Sequence, residues 1–182
     1  MTRVALVLGA LAISTLAWAQ APTDAAVEKA LLAAPENMRK DATVVAFKPD
    51  FTYETVKKGT NPMVCFDRSG LPGQQPFSVE CTSTANLPRV AQNLKFEAEP
   101  DRTKRQAALD AAEKDGSRIK PEYGSVWIRM QGKDKETART HMTVAVPGAT
   151  TQSTGIPDNP KMGGIWIMNA GTSTAHLMIP GH

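Results

Sequence analysis

Imidazole, thioether and thiol side chains are the groups in this 182-residue chain best suited to hold a metal or move a proton: three histidines, eight methionines and two cysteines. Two short stretches combine them. His141 is followed at once by Met142, and His176-x-Met178 repeats the pairing two residues apart. Neutral imidazole suits copper or zinc, and thioether sulfur suits Cu(I). His141, His176 and Met178 are therefore the candidate metal set. Either histidine could also serve as a general acid or base, but no nucleophile or polarising partner lies at a spacing that points to one. The leading reading of both is simpler: a half-buried imidazole, hydrogen-bonded to backbone or to a carboxylate. Six of the eight methionines are spread from Met63 to Met178, several at alternating strand positions, and core filling explains most of them. His182 is the last residue and is set aside.

Sequences of catalytic type are otherwise missing. There is no H-E-x-x-H, no G-x-S-x-G and no phosphate-binding G-x-x-x-x-G-K-[ST]. Ser117-Arg118-Ile119-Lys120 matches S-x-x-K, a pattern that works when lysine lies one helical turn from a nucleophilic serine. Here Gly116 precedes it and Pro121 follows, which places it past a helix end, and the companion S-D-N and K-T-G patterns are absent. It reads as a chance match. No catalytic residue and no cofactor is assigned.

The first twenty residues bear on the compartment. Arg3 supplies a short positive region, Val4 to Leu16 is almost wholly apolar, and Ala17-Trp18-Ala19 has the small-x-small form of a signal-peptidase site. The expected division is a signal peptide over 1–19 and one globular domain over 20–182. The destination is periplasmic or secreted. The apolar run is short for a spanning helix, and no later stretch is apolar enough to span, so no membrane span is expected after cleavage. In an oxidising compartment Cys65 and Cys81 are expected to form a disulfide. The ring closed between them would contribute about 3 kcal/mol. A pair of thiolate metal ligands is the rival reading, disfavoured because the spacing is not C-x-x-C.

The formal charge of the whole chain is +3, and removing the leader lowers it by one. That charge is weak and scattered, and aromatic residues make up 5% of the chain, so neither a basic face nor a base-stacking platform for nucleic acid is indicated. The expected partner is an unknown ligand or an envelope protein.

These residues need elements to position them. Val27, Leu31 and Ala34 follow Thr23 or Asp24, either of which can cap a helix, and Pro35 can start a second short turn over 36–40. Residues 42–47, 51–58 and 63–66 read as strands, rich in β-branched and aromatic side chains. Residues 67–76, with two glycines and two prolines, read as a loop that the disulfide would staple to the sheet. Leu87, Val90, Ala91, Leu94 and Ala98 mark one face of a helix that Asn86 could cap and that tolerates Pro88 in its first turn. A second helix runs from about Arg102 to Asp115 and stops at Gly116. Val126, Ile128 and Met130 alternate, as do Met142, Val144 and Val146. Residues 165–168 and 175–179 pair most simply as an antiparallel hairpin, with Ile165, Ile167, Leu177 and Ile179 toward the core and Trp166, Met168, His176 and Met178 away from it. The expected class is α+β: a mostly antiparallel sheet of five to seven strands with helices packed on one face.

Several of these segments, taken in order, resemble uncharacterised exported proteins of Gram-negative and related bacteria. They are Ala42-Thr43-Val44-Val45, Lys58-Gly59-Thr60-Asn61 before Cys65, His141 through Val146-Pro147-Gly148, and Ala170-Gly171-Thr172 followed by Ala175 to Pro180. This chain lacks the aromatic residue that the pattern places near Pro62-Met63 and those it places in the helix after Cys81. The resemblance implies export and one domain, and no activity. Two functions follow as expectations: a binding or structural protein of the cell envelope without catalysis, or a copper- or zinc-binding protein or metal-assisted enzyme using His141 and His176.

Overall fold

A computed structural model describes residues 24–179. The expected signal peptide, the possible cap Thr23 and His182 lie outside them. Helix α1 (Asp24–Ala30) runs into a 3-10 turn (Leu31–Ala33), and α2 (Glu36–Arg39) follows Pro35. Strands β1 (Thr43–Phe47), β2 (Tyr53–Lys57), β3 (Met63–Asp67) and β4 (Phe77–Ser83) come next, then α3 (Leu87–Glu97) and α4 (Arg102–Asp115). Strands β5 (Val126–Gly132) and β6 (Arg139–Ala145), the short helix α5 (Thr151–Thr154), and strands β7 (Trp166–Met168) and β8 (His176–Met178) complete the order.

All eight strands join one sheet, in the order β2-β1-β3-β4-β5-β6-β8-β7. Every neighbouring pair is antiparallel except β1 with β3. The α+β class and the antiparallel bias agree with the sequence. The strand number does not, and β4 is the difference: the sequence assigns that segment only Cys81, because its alternate residues Ser78, Glu80 and Thr82 are polar. All three are nevertheless buried.

The helices also occupy both faces of the sheet rather than one. Val44, Met63, Cys65, Val79, Cys81 and Ile128 pack against Ala30, Leu31, Ala33 and Ala34 of α1 and its 3-10 extension. The intervening residues Val45, Val64 and Phe66 pack against Leu87, Val90 and Leu94 of α3. In β1 and β3 consecutive residues are apolar, as expected of strands covered on both sides. Cys65 and Cys81 are directly paired residues of β3 and β4, fully buried, and joined by a disulfide with S–S 2.09 Å. The bond crosses the centre of the α1 face; it links two strands and does not staple the 68–76 loop.

Among the described residues no helix is long and apolar enough to cross a membrane. The C-terminal hairpin forms as expected, with β7 pairing β8. Ile167 is buried among Val146, Ala149 and Ala175, with Leu177 packed beside them. Ile165 departs from its expected place in the core: it lies ahead of β7, just after Gly163 and Gly164, and is 46% exposed.

Candidate functional site

On its side of the sheet helix α3 packs against β1 and β3, with Trp127 of β5 beside that cluster, and leaves the β6-β8 end of the face uncovered. Between the helix and the uncovered strands lies a cavity of about 390 Å³. Its floor follows from strand alternation. Val126, Ile128 and Met130 point to the α1 side, so Trp127, Arg129 and Gln131 point into the groove. His141, Thr143 and Ala145 of β6 lie beside them. The helical wall comes from Arg89, Asn93 and Glu97, spaced four residues apart on one side of α3. The segment after α4 returns over the helix and adds Arg118 and Pro121.

Asn86 anchors that returning segment. It is not the helix cap that its position indicates, since its side chain makes no capping hydrogen bond. Its amide nitrogen donates to Thr82 Oγ1 (2.8 Å) and Ser125 Oγ (2.9 Å), and its Oδ1 accepts from the Glu122 backbone N–H (2.7 Å). A fully buried amide thus ties β4, the start of β5 and the 117–125 segment together. The Asp101 side chain caps α4 by accepting from the N–H groups of Thr103 and Lys104, and Gly116, at φ 78°, ends it. Ser117, past that end, is exposed, so the S-x-x-K match lies outside a helix as its flanks imply.

Two groups of charges meet in the groove. In the first, buried Arg68 donates from Nη1 to Glu80 Oε2 and from Nη2 to Glu97 Oε2, while Arg129 Nε donates to Glu80 Oε2 at 2.5 Å. Two cations and two carboxylates balance. Burial alone would raise the Glu80 pKa, but the charges of Arg68 and Arg129 more than offset it, and the carboxyl is held below its ordinary value. Arg68 Nε and Ser78 Oγ are sealed without a hydrogen-bond partner among the described residues. The Arg129 side chain is one-third exposed, and its terminal nitrogens make no hydrogen bond among those residues.

The second group is not balanced. Arg89 and Arg118 are 4% and 8% exposed, and neither forms an ion pair among the described residues. Neutral acceptors hold them instead. Asn93 Oδ1 accepts from both, from Arg89 Nε at 3.1 Å and from Arg118 Nη2 at 2.6 Å, which sets the two guanidinium groups side by side. Arg118 Nη1 donates to Gln92 Oε1 (2.7 Å), and its plane lies over the Phe96 ring. Arg89 Nη1 donates to the Ile119 carbonyl and to Ser173 Oγ. The nearby Glu113 carboxylate is taken up by Ser173, accepting from its N–H and its Oγ at 2.6 Å each. Burial, and then the charge of Arg118, push the Arg89 pKa down to about 10 against the pull of Glu113. Burial likewise lowers that of Arg118.

His141 and His176 share the groove face, as strand alternation implies. Register separates them along it. His176 lies opposite Ala145, and His141 is four residues further along β6. At about 3.3 Å per residue their backbones are offset by about 13 Å. A metal on one ring would therefore draw its remaining ligands from other residues. Met178 lies opposite Thr143 and shares the His176 side of β8, but is not part of the cavity wall. Among the described residues no group of three or more His, Cys, Asp or Glu side chains is arranged to hold a metal. His176 Nδ1 is 2.7 Å from the Thr174 carbonyl. A carbonyl only accepts, so Nδ1 carries the proton and Nε2 of the neutral ring keeps its lone pair.

Sequence reasoning did not single out Arg89, Arg118 or Arg129. Comparison with protein-family models, with curated proteins and with solved structures finds no match to this chain.

Proposed function

We propose that this protein is an exported, non-catalytic binding domain of the cell envelope, with the groove between α3 and the uncovered strands as its working surface. One observation carries the reading. The polar groups of the groove wall are fixed before any ligand arrives, Arg89 and Arg118 by their shared Asn93 and Arg129 by Glu80. Groups held in this way lose little freedom on binding, which is how a preformed site gains affinity. Export is supported by Arg3, the apolar run and Ala17-Trp18-Ala19, and by the disulfide, which suits an oxidising compartment. Intact mass of the secreted or periplasmic protein should begin at Gln20; a retained Met1 would refute export.

The test of the binding reading is a nuclear magnetic resonance screen of small metabolites against the protein, repeated on Thr143→Trp. Thr143 is half-buried in the groove floor, so the larger ring fills the cavity. Hits should shift Trp127, Thr143 and Ala145 and should be lost in the variant. Hits that map to another surface and survive the substitution would overturn the reading.

A second reading, metal binding, keeps one observation in its favour. The Thr174 carbonyl fixes the His176 tautomer and leaves Nε2 as a donor toward the groove, the second-shell arrangement seen behind metal-bound imidazoles. Copper and zinc titration of the protein, of His176→Ala and of His141→Ala tests it; binding that neither substitution weakens would end it.

A further inference from the structure

We propose that the groove seats an oxyanion, a carboxylate or phosphate group of a small ligand, against the paired guanidinium groups of Arg89 and Arg118. The proposal rests on the binding reading above and names the chemistry of the ligand. Like charges repel, and burial removes the water that would screen them. A buried cation is ordinarily paired with an anion. Here two lie side by side, drawn together by one amide oxygen, and share the field of one nearby carboxylate, Glu113, whose oxygens are hydrogen-bonded to Ser173 rather than to either guanidinium.

The donors left over point the same way. Arg89 Nη2 and Arg118 Nε have no hydrogen-bond partner among the described residues, and neither is among the polar atoms sealed from solvent. Both residues line the cavity, and these two N–H groups keep some access to solvent. Planar guanidinium forks match the geometry of carboxylate and phosphate oxygens. Arg129, further along the floor, offers its terminal nitrogens to the rest of an anionic ligand. The other acids of the wall, Glu80 and Glu97, form ion pairs with Arg68 and Arg129. Glu97 and Glu113 also act on Arg118, but the four guanidinium groups Arg68, Arg89, Arg118 and Arg129 face only the three carboxylates Glu80, Glu97 and Glu113, so one positive charge is left over. A bound anion would remove the repulsion between Arg89 and Arg118, so binding should also stabilise the fold.

The experiment follows the side-chain Nε–H resonances of Arg89 and Arg118 during titration with inorganic phosphate and, separately, with succinate. Sodium chloride at matched ionic strength is the control. Thermal midpoints are recorded alongside. The expected result is saturable shifts of both resonances with one of the two anions and a higher midpoint. Phosphate acting alone identifies a phosphorylated ligand, and succinate acting alone a carboxylic acid. Arg89→Lys, which keeps the charge but loses the fork, should weaken the effect by about tenfold or more. Lys48→Gln, on the exposed end of the sheet, should leave it unchanged. Shifts that chloride reproduces, or resonances that neither anion moves, overturn the proposal, and the wild-type titration decides this even if Arg89→Lys does not fold. Neutral metabolites that still bind in the groove and are lost in Thr143→Trp would leave the binding reading standing without the anion site.

Discussion

Replacing Glu80 by glutamine tests the buried charge network, and its effect can be worked out from the contacts. The side chain is 2% exposed, and its Oε2 accepts from both Arg68 and Arg129. Glutamine keeps the shape and removes the charge, so Arg68, equally buried, is left with Glu97 alone. Breaking a buried pair by removing one partner costs about 3–5 kcal/mol. The remaining Glu97 contact places Glu80→Gln near the lower end, about 3 kcal/mol. In a protein of this size that lowers Tm by about 6–12 °C. In urea it lowers the midpoint by about 1–2 M at unchanged slope. Arg129→Gln removes a partner that is one-third exposed and should cost only about 1 kcal/mol. The double variant should cost less than the sum, because both changes remove the same bond.

The pH dependence gives a second readout of the same residue. The folded-state pKa of Glu80 is below the ordinary 4.5. Its contribution to stability is therefore complete above about pH 4.5 and is lost as pH falls through the folded value. Wild type should lose stability over that acid range more steeply than Glu80→Gln, so the two denaturation midpoints should converge. The reasoning fails if the variant lies within 1 kcal/mol of wild type at pH 7, or if the gap stays constant through the acid range.

Three further substitutions probe separate parts of the structure. Cys65→Ser with Cys81→Ser should lower stability by about 3 kcal/mol in urea, from the lost ring constraint, while circular dichroism at low temperature remains that of the folded protein. Asn86→Ala leaves Thr82, Ser125 and the Glu122 N–H short of a partner and should cost about 2–3 kcal/mol; hydrogen exchange at Glu122 should rise most. Gly59→Ala would put a Cβ 2.3 Å from the Asp41 carbonyl oxygen and 2.4 Å from the Ala42 carbonyl carbon. The backbone there must move, so this change should cost several kcal/mol, with a raised unfolded fraction at 37 °C; a variant as stable as wild type would show that the turn is not tightly seated against β1.

The elements legible in the sequence are those whose pattern is local. Val126, Ile128 and Met130 mark β5 because one of its faces is apolar, and Leu87, Val90 and Leu94 mark α3 at helical spacing. The two cysteines pointed to their disulfide through an even count in a chain expected to be exported. Strand β4 was hidden because its polar row, Ser78, Glu80 and Thr82, is buried, a state that depends on arginines elsewhere in the chain. The two-sided packing left a usable signal in Val44-Val45 and Met63-Val64-Cys65-Phe66, where consecutive apolar residues demand cover on both faces. Alternation sets His176 opposite Leu177 and His141 opposite Met142 and Val144, but which face is the core, and the offset along it, require the β6-β8 register, which no local pattern contains. Arg89 and Arg118 look like ordinary surface arginines. Their burial arises only when the 117–122 segment folds back across α3, so nothing in their neighbours marks them. Arg129 was closer to reach: alternation in β5 sets Trp127, Arg129 and Gln131 on one side, a mixed aromatic and cationic row that a solvated face does not require.

The strand order has a consequence for assembly in time. Strand β8 follows β7 in the chain, yet it lies between β6 and β7, which makes the earlier strand the edge. Strand β7 therefore lacks its native strand partner until residues 176–178 are present. A chain delivered from its N-terminus can complete β1 through β6 first, with the outer backbone of β6 left unpaired. Two strands then close together, as one event, when the last one arrives. Removal of residues from 175 onward should accordingly cost both β7 and β8, and leave β6 as an open edge available to another chain.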